Sequence, residues 1–275
     1  MIDSEAMMYK ILDFARRAGA FAKANQDKID FMSSKLKSDH ASDVVTDIDF
    51  EISNQFRNFI EAEFSDLDYV TVDEESTLGF GVKPMSEIKR HEFAFIIDPI
   101  DGTLPYANNL PFYAISIGVF RNQKPFVGVI FAPGLNWLAY SDENKLYTEF
   151  DGVKREVPML TDTAIFFTNI SRDGFKENIN PMDVYSLDLY SSALSGLLVA
   201  VGKVRAWTFG SALWDVAGAA NLFARAGVEI FDPKTDKPFD LFDENNYNER
   251  LRVKSPKIAC LPEYYHDFKR LYKLD

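Results

Sequence analysis

The run Phe93-Ala94-Phe95-Ile96-Ile97 passes without a break into Asp98-Pro99-Ile100-Asp101-Gly102-Thr103. Continuous apolar strands are buried on both faces, so two carboxylates and a hydroxyl stand at the rim of a core, where charge is costly unless neutralised. Pro99 fixes φ and Gly102 frees it, making the turn rigid where the carboxylates converge and open where a ligand approaches the backbone. Hard oxygen donors on such a turn suit Mg2+ or Mn2+, and a helix starting at Gly102-Thr103 would point free N–H groups at an anion. A purely structural reading stands beside this one: Asp98 caps the turn and Thr103 is an N-cap.

Three further acidic clusters occupy similar places. The short strand Val70-Thr71-Val72 runs into Asp73-Glu74-Glu75-Ser76; another cluster is Asp43-Val44-Val45-Thr46-Asp47-Ile48-Asp49; the last is Trp214-Asp215, where Asp215 opens the apolar helix Val216 to Ala226. Each has a structural alternative to a metal role. Asp73 and Glu75 fit a solvated surface, Asp47 the cap of a helix beginning near Asp49, and Asp215 an N-cap.

The segment Ile97 to Thr103 resembles the signature of the inositol monophosphatase family, and Leu110 to Val119 resembles the strand that follows it there. Asp43 to Asp49 is similar to the family's D-x-V-T-x-x-D, Glu74-Glu75-Ser76 to its E-E-S, and Trp214 to Ala219 to its W-D-x-A-x-A, in the same order along the chain. The resemblance implies an αβαβα sandwich, layered α+β and α/β, usually dimeric, and a Mg2+-dependent, lithium-inhibited phosphomonoesterase. It further implies that Glu74, Asp98 and the Ile100 carbonyl hold a first metal, that Asp98, Asp101 and Asp215 surround a second, and that Asp49 with Glu74 serves a third. On the same grounds Thr103, hydrogen-bonded to Asp49, orients the attacking water, and the Gly102 and Thr103 amides bind phosphate. Trp207-Thr208-Phe209-Gly210 stands where inositol-selective members carry an acid, which leaves Thr208 in the leaving-group pocket. The stretch Leu187 to Ser192 lacks the family's R-x-x-G-[ST]-A pattern, and Leu104-Pro105-Tyr106 replaces its T-N-F. These departures concern the substrate pocket, so the expected substrate is a small phosphate ester: inositol monophosphate-like, a 3'(2'),5'-bisphosphate nucleotide or a sugar bisphosphate. Two rivals stand. A haloacid-dehalogenase-type phosphatase also places acids after an apolar strand, but with D-x-D spacing where this chain has D-x-x-D. A regulatory protein that binds metal or phosphate without turnover is the other.

Composition narrows the partners. With 47% hydrophobic residues, 275 residues bury a large core. A net charge of −12 with a pI near 4.8 argues against nucleic-acid polymers and anionic membranes, and leaves an anionic substrate dependent on bound cations. Asp3 and Glu5 sit where a targeting signal is basic, no run reaches membrane-spanning length, and the lone Cys260 reads as a small buried hydrophobe in a reducing compartment, so a soluble, cytoplasmic protein is expected.

Helices are expected over Ser4 to Ala24 and Asp49 to Phe64, with a loop from Asn25 to Ser42 carrying Lys35, Lys37 and His40, and a connection from Leu78 to His91. Ile115 to Phe120 and Val127 to Ala132 alternate around Asn122-Gln123 as a hairpin, and Trp137 to Tyr140 adds a strand. Beyond Asp162, strands over Ala164 to Asn169, Asp183 to Leu189, Val204 to Phe209 and Val228 to Phe231 alternate with a helix from Ser191 to Gly202 and the Asp215 helix; Asp232 to Pro238 reads as turns. The chain thus divides into an N-terminal α+β half, 1–160, carrying most metal ligands, and a C-terminal α/β half, 161–275, supplying Asp215 and the leaving-group pocket.

Overall fold

The computed structural model describes residues 3–28, 47–75, 82–162, 167–168 and 186–270. The helices are α1 (Ser4–Asn25), α2 (Asp47–Phe64), α3 (Met85–Ile88), α4 (Thr103–Ala107), α5 (Ser192–Ala200), α6 (Leu213–Ala226) and α7 (Tyr265–Lys269). The first sheet takes β1 (Tyr69–Asp73), β2 (Phe93–Asp101), β3 (Ala114–Arg121), β4 (Lys124–Ala132), β5 (Trp137–Ser141), β6 (Leu146–Phe150) and β7 (Val153–Val157) in sequence order. β1 and β2 are parallel and the remaining pairs antiparallel. The second sheet contains β8 (Phe167–Thr168), β9 (Ser186–Leu187), β10 (Ala206–Phe209), β11 (Glu229–Asp232), β12 (Lys237–Pro238) and β13 (Lys257–Cys260), ordered β12-β11-β13-β10-β8-β9.

The apolar run of β2 explains the layering. Successive side chains leave opposite faces of a strand. Phe93, Phe95 and Ile97 accordingly join the cluster built with α1 and α2, whereas Ala94 and Ile96 join the one built with α5 and α6. Strand β10 repeats the division: Trp207 and Phe209 face α5 and α6, and Ala206 packs with Ile258, Cys260 and the α7 residues Tyr265 and Phe268. The outcome is helix, sheet, helix, sheet, helix, the expected αβαβα sandwich. The central cluster draws residues from both 1–160 and 161–275, so α5 and α6 tie the halves together.

Helices α1 and α2 form where expected, α2 beginning two residues early, at Asp47. Asp3 caps α1, accepting hydrogen bonds from the Glu5 and Ala6 amides. The hairpin turn holds Asn122 and Gln123 at φ 49° and 66°, the geometry a two-residue connection needs to match strand twist. Four differences stand out. Helix α6 starts at Leu213, not Asp215; α3 interrupts the expected 78–91 connection, whose residues 78–81 lie outside those described; and β6–β7 and β13 were not anticipated. Within the strands expected at Ala164 to Asn169 and Asp183 to Leu189, the described parts are β8 and β9, and of the loop Asn25 to Ser42 the described part ends in a short 3-10 turn, Gln26–Lys28. Cys260 is fully buried, which pushes its thiol up to about 12.

Helix α6 lies directly on the sheet. A Cβ built on Gly118 would stand 2.4 Å from the Ala217 carbonyl oxygen. Alanine in a strand interior gains roughly 0.5–1 kcal/mol over glycine, but overpacking against a backbone atom costs about 1–3 kcal/mol. Gly118→Ala is therefore expected to destabilise the protein by about 1–2 kcal/mol in urea unfolding; a more stable variant would show that α6 yields freely.

Candidate active site

A bulge brings the signature carboxylates to one side of the sheet. Asp98 pairs with Ser116 and Asp101 with Ala114, so β2 uses three residues where β3 uses two. The extra residue reverses the alternation. Ile97 and Ile100, three apart, consequently both face α1 and α2, and Asp98 and Asp101 share the opposite side. One carboxylate oxygen from each of Asp98, Asp101 and Asp215 falls within 4.8 Å of the others.

Local contacts fix each group. Gly102 adopts φ 91°, ψ 42°, letting the chain turn from β2 into α4. The Thr103 hydroxyl donates to the Ile100 carbonyl at 3.0 Å, and Tyr106 N–H donates to the Gly102 carbonyl. The resemblance implied Asp49 as the Thr103 partner; the hydroxyl hydrogen goes to Ile100 instead. Ser191, the N-cap of α5, donates to Asp101, as do the Ser192 and Ala193 amides, so the start of one helix clamps this carboxylate. Asp215 sits in the first turn of α6 and accepts from Ala212 N–H at 2.7 Å. It is thus the third residue of its helix and not the N-cap.

Burial and like charge dominate the electrostatics. Asp98 and Asp101 are 2% and 4% exposed, and desolvation, followed by the Asp215 charge, pushes the Asp101 carboxyl up to about 8. Asp98 is raised by burial first and then by the neighbouring charges of Asp101, Glu74 and Asp215. Glu74, half-buried at the end of β1, is raised by burial and by Asp215, Glu75 and Asp49, with Arg252 opposing. Asp215 is raised by burial against the opposing pull of the Ala212 amide and Arg252. A divalent cation meets this need: the donors are hard oxygens, and the buried Asp98 Oδ1 has no hydrogen-bond partner.

A cavity of about 390 Å3 opens over this cluster, lined by Glu74, Asp98, Ile100, Asp101, Gly102, Thr103 and Leu104 from one half and Tyr190, Ser192, Ser211, Asp215 and Arg252 from the other. The family model for the inositol monophosphatase family matches residues 5–263. The chain belongs to that family. Its members are hydrolases of phosphoric monoesters, and this chain is such an enzyme. It is 24% identical over 260 residues to an inositol monophosphatase of Mesembryanthemum crystallinum, covering 84% of this chain and 86% of that one. Over 156 residues it is 27% identical to the 3'(2'),5'-bisphosphate nucleotidase CysQ of Salmonella typhimurium, 54% of this chain and 63% of that one. A calcium-bound family protein from Staphylococcus aureus superposes with a TM-score of 0.74 at 16% identity, over 99% of each chain.

Within this site the expected residues separate into three groups. Glu74, Asp98, Ile100, Asp101, Gly102, Thr103 and Asp215 line the cavity. Asp49, 1% exposed on α2, is not among the lining residues and acts on Glu74 through its charge. Thr208 does not reach it: the residue is 4% exposed on β10, paired with Ile258. Asp73 and Glu75 are buried, not solvated, and Asp73 is ion-paired with Arg57 at 2.9 Å. Asp43 to Thr46 and Ser76 lie outside the described residues. Ser191, Ser211 and Arg252 were missed. The Ser191-Ser192 pair before an apolar helix is a readable N-cap signal, but nothing in the local pattern marks Arg252.

Proposed function

We propose that the enzyme is a Mg2+-dependent phosphomonoesterase acting on a small phosphate ester, with water and not an enzyme carboxylate as the nucleophile. The observation that carries this reading is the convergence of Asp98, Asp101 and Asp215 with an unpartnered, buried Asp98 oxygen. Glu74, Asp98 and the Ile100 carbonyl would hold one cation, Asp98, Asp101 and Asp215 a second, and Asp49 with Glu74 a third. Mg2+, or Mn2+ in its place, would neutralise phosphate charge and make water acidic enough to attack at neutral pH. The chain does the rest. Because its hydrogen is committed to Ile100, the Thr103 oxygen accepts a hydrogen bond from the attacking water and orients it, while Glu74 takes the proton. The Gly102 and Thr103 amides receive a phosphate oxygen. Inhibition by Li+, a cytoplasmic setting and a homodimer belong to the same proposal; no helix among the described residues is long and apolar enough to cross a membrane.

Turnover of inositol, sugar and nucleotide phosphates with and without Mg2+ tests the proposal. Activity is expected to vanish on chelation and return with Mg2+; full activity in metal-free buffer, or a trapped phosphoaspartate, would refute it.

The raised carboxyls also predict a pH effect. A carboxyl whose folded-state pKa exceeds its unfolded value makes the folded state bind more protons, so its contribution to stability falls as pH rises from the ordinary 3.8 through about 8 for Asp101. Without metal, the melting temperature of the wild type relative to Asp101→Asn should drop between pH 5 and 8. Mg2+ should cancel the drop and bind more tightly as pH rises, because it displaces protons. A pH-independent difference between the two proteins would overturn the assignment.

A further inference from the structure

A larger cavity, of about 600 Å3, lies apart from the catalytic one and shares no lining residue with it. It follows from the layering. Helix α6 packs chiefly on β2, β3 and β4, whereas β7 closes the sheet as an edge strand. Residues paired across antiparallel strands share a face, so Trp137, Phe150 and Val153 form one row over β5, β6 and β7, and Thr148 and Arg155 the next. The cavity lies over these rows, where the sheet runs on past α6, and the end of α5 contributes Val201 and Lys203 to it. Its floor is aromatic: the Trp137 and Phe150 rings meet edge to face with centroids 5.3 Å apart. Phe150 and Val153 stay 50% and 55% exposed, so apolar surface is left for a ligand to cover.

The polar groups around that floor divide by sign. Trp137 Nε1 donates to Thr148 Oγ1 at 2.9 Å, and Thr148 donates to the Leu138 carbonyl at 3.1 Å, which commits both hydrogens within the sheet. Asp151 accepts from Asn136 Nδ2 at 3.1 Å and Glu156 pairs with Lys145 at 3.3 Å, and neither partner lines the cavity. The side chains of Arg155 and Lys203 make no hydrogen bond or ion pair with any described residue. Lys203 is nonetheless placed firmly. Gly202 turns the chain at φ 71° after α5, Lys203 N–H donates to the Leu198 carbonyl at 2.9 Å, and a Cβ on Gly202 would stand 3.1 Å from Leu160 Cδ2 in the cavity wall. In a chain of net charge −12, two uncommitted cations beside an aromatic floor complement an anion that also carries apolar surface. The volume is that of a small-molecule site, and a guanidinium fork with an ammonium suits one carboxylate, sulfonate or phosphate group. We infer that this cavity is a second ligand site, for a small anion with a flat apolar body, the body lying on Trp137 and Phe150 and the charge held by Arg155 and Lys203. The inference stands independently of the phosphomonoesterase reading.

The probe is 2-naphthoate, with uncharged 2-naphthamide beside it, titrated calorimetrically into the full chain with Mg2+ and inorganic phosphate in excess to occupy the catalytic cavity. One equivalent of naphthoate is expected to bind, at least tenfold more tightly than naphthamide. Arg155→Gln and Lys203→Gln should each weaken naphthoate by about ten- to thirtyfold with melting temperature unchanged, and Arg155→Lys should recover part of the loss. If Arg155→Gln melts early, Arg155→Lys and Lys203→Gln decide. Absence of binding at millimolar naphthoate, equal affinity for naphthamide, or unchanged affinity in either glutamine variant would overturn the inference. So would binding seen only without phosphate, which would assign naphthoate to the catalytic cavity. A change in sedimentation mass on Arg155→Gln would make this face a contact between copies of the chain and overturn it as well.

Discussion

Asp98→Asn is expected to lower kcat/KM by about a thousandfold or more while raising the melting temperature of the metal-free protein. The two effects have one cause. Asp98 is almost fully buried between Asp101, Glu74 and Asp215, and burial with those like charges lifts its carboxyl well above the usual range. In the absence of a cation the charged form is unfavourable, so above the unfolded-state pKa of 3.8 the residue subtracts from stability. Asparagine keeps the shape and removes the charge. The same change deletes a negative donor placed to serve two cations, leaving phosphate charge uncompensated. A purely structural carboxylate would behave oppositely, losing stability with little change in rate. Kinetics at saturating Mg2+ and calorimetry in chelator, on one preparation, separate the alternatives; activity within tenfold of wild type would dismiss Asp98 as a ligand.

The second large effect is expected at Gly102. A side chain there must accept φ 91°, which costs an L-residue about 1–2 kcal/mol. A Cβ would also meet the Phe112 carbonyl at 2.6 Å and the Ser191 Cβ at 3.1 Å. Neither neighbour moves without consequence: Ser191 caps α5 and donates to Asp101, and Phe112 leads into β3. Gly102→Ala should therefore displace the turn that presents the phosphate-binding amides and loosen the Asp101 clamp together. A shift near 1 Å at a reacting centre is worth about a hundredfold in rate. We expect kcat/KM to fall by about that factor, with the variant still folded in urea titrations. Wild-type kinetics for Gly102→Ala would mean that neither the turn nor its amides take part.

How far local pattern reaches is clearest in the strands. Phe93 to Ile97 reads as buried on both faces because every position is apolar, and the hairpin at Asn122-Gln123 is legible because its flanks alternate. The β6–β7 hairpin carries an equally good turn, Asp151-Gly152, with φ of 48° and 78°. It went unread because Lys154, Arg155 and Glu156 obscure alternation in a strand that lies at the sheet edge and is mostly exposed. Strand β13 is only four residues long and opens on a charged residue, Lys257; its burial comes from β10 and β11 on its two edges and from the clusters that take Ala259 on one face and Ile258 and Cys260 on the other.

The acid inventory shows the same division within the site. Asp98, Asp101, Glu74 and Asp215 are recognisable one by one, since charge at the exit of an apolar strand or in the first turn of an apolar helix is a local anomaly with a local cause. Their order along the chain identifies the family, because four spaced motifs seldom coincide. Proximity is another matter. Asp98 and Asp101 share a side only because β2 bulges against β3, and Asp215 joins them only because Gly118 lets α6 lie on the sheet. Thr208, which sequence position assigned to the pocket, is turned into the interior by the pairing of β10 with β13, and Arg252, which no motif marks, is carried to the cavity by a bridge to Ala212. Residue chemistry and backbone propensity act over a few positions and can be read there. Which groups meet across a hundred residues depends on how helices and sheets pack, and only the packed core sets that.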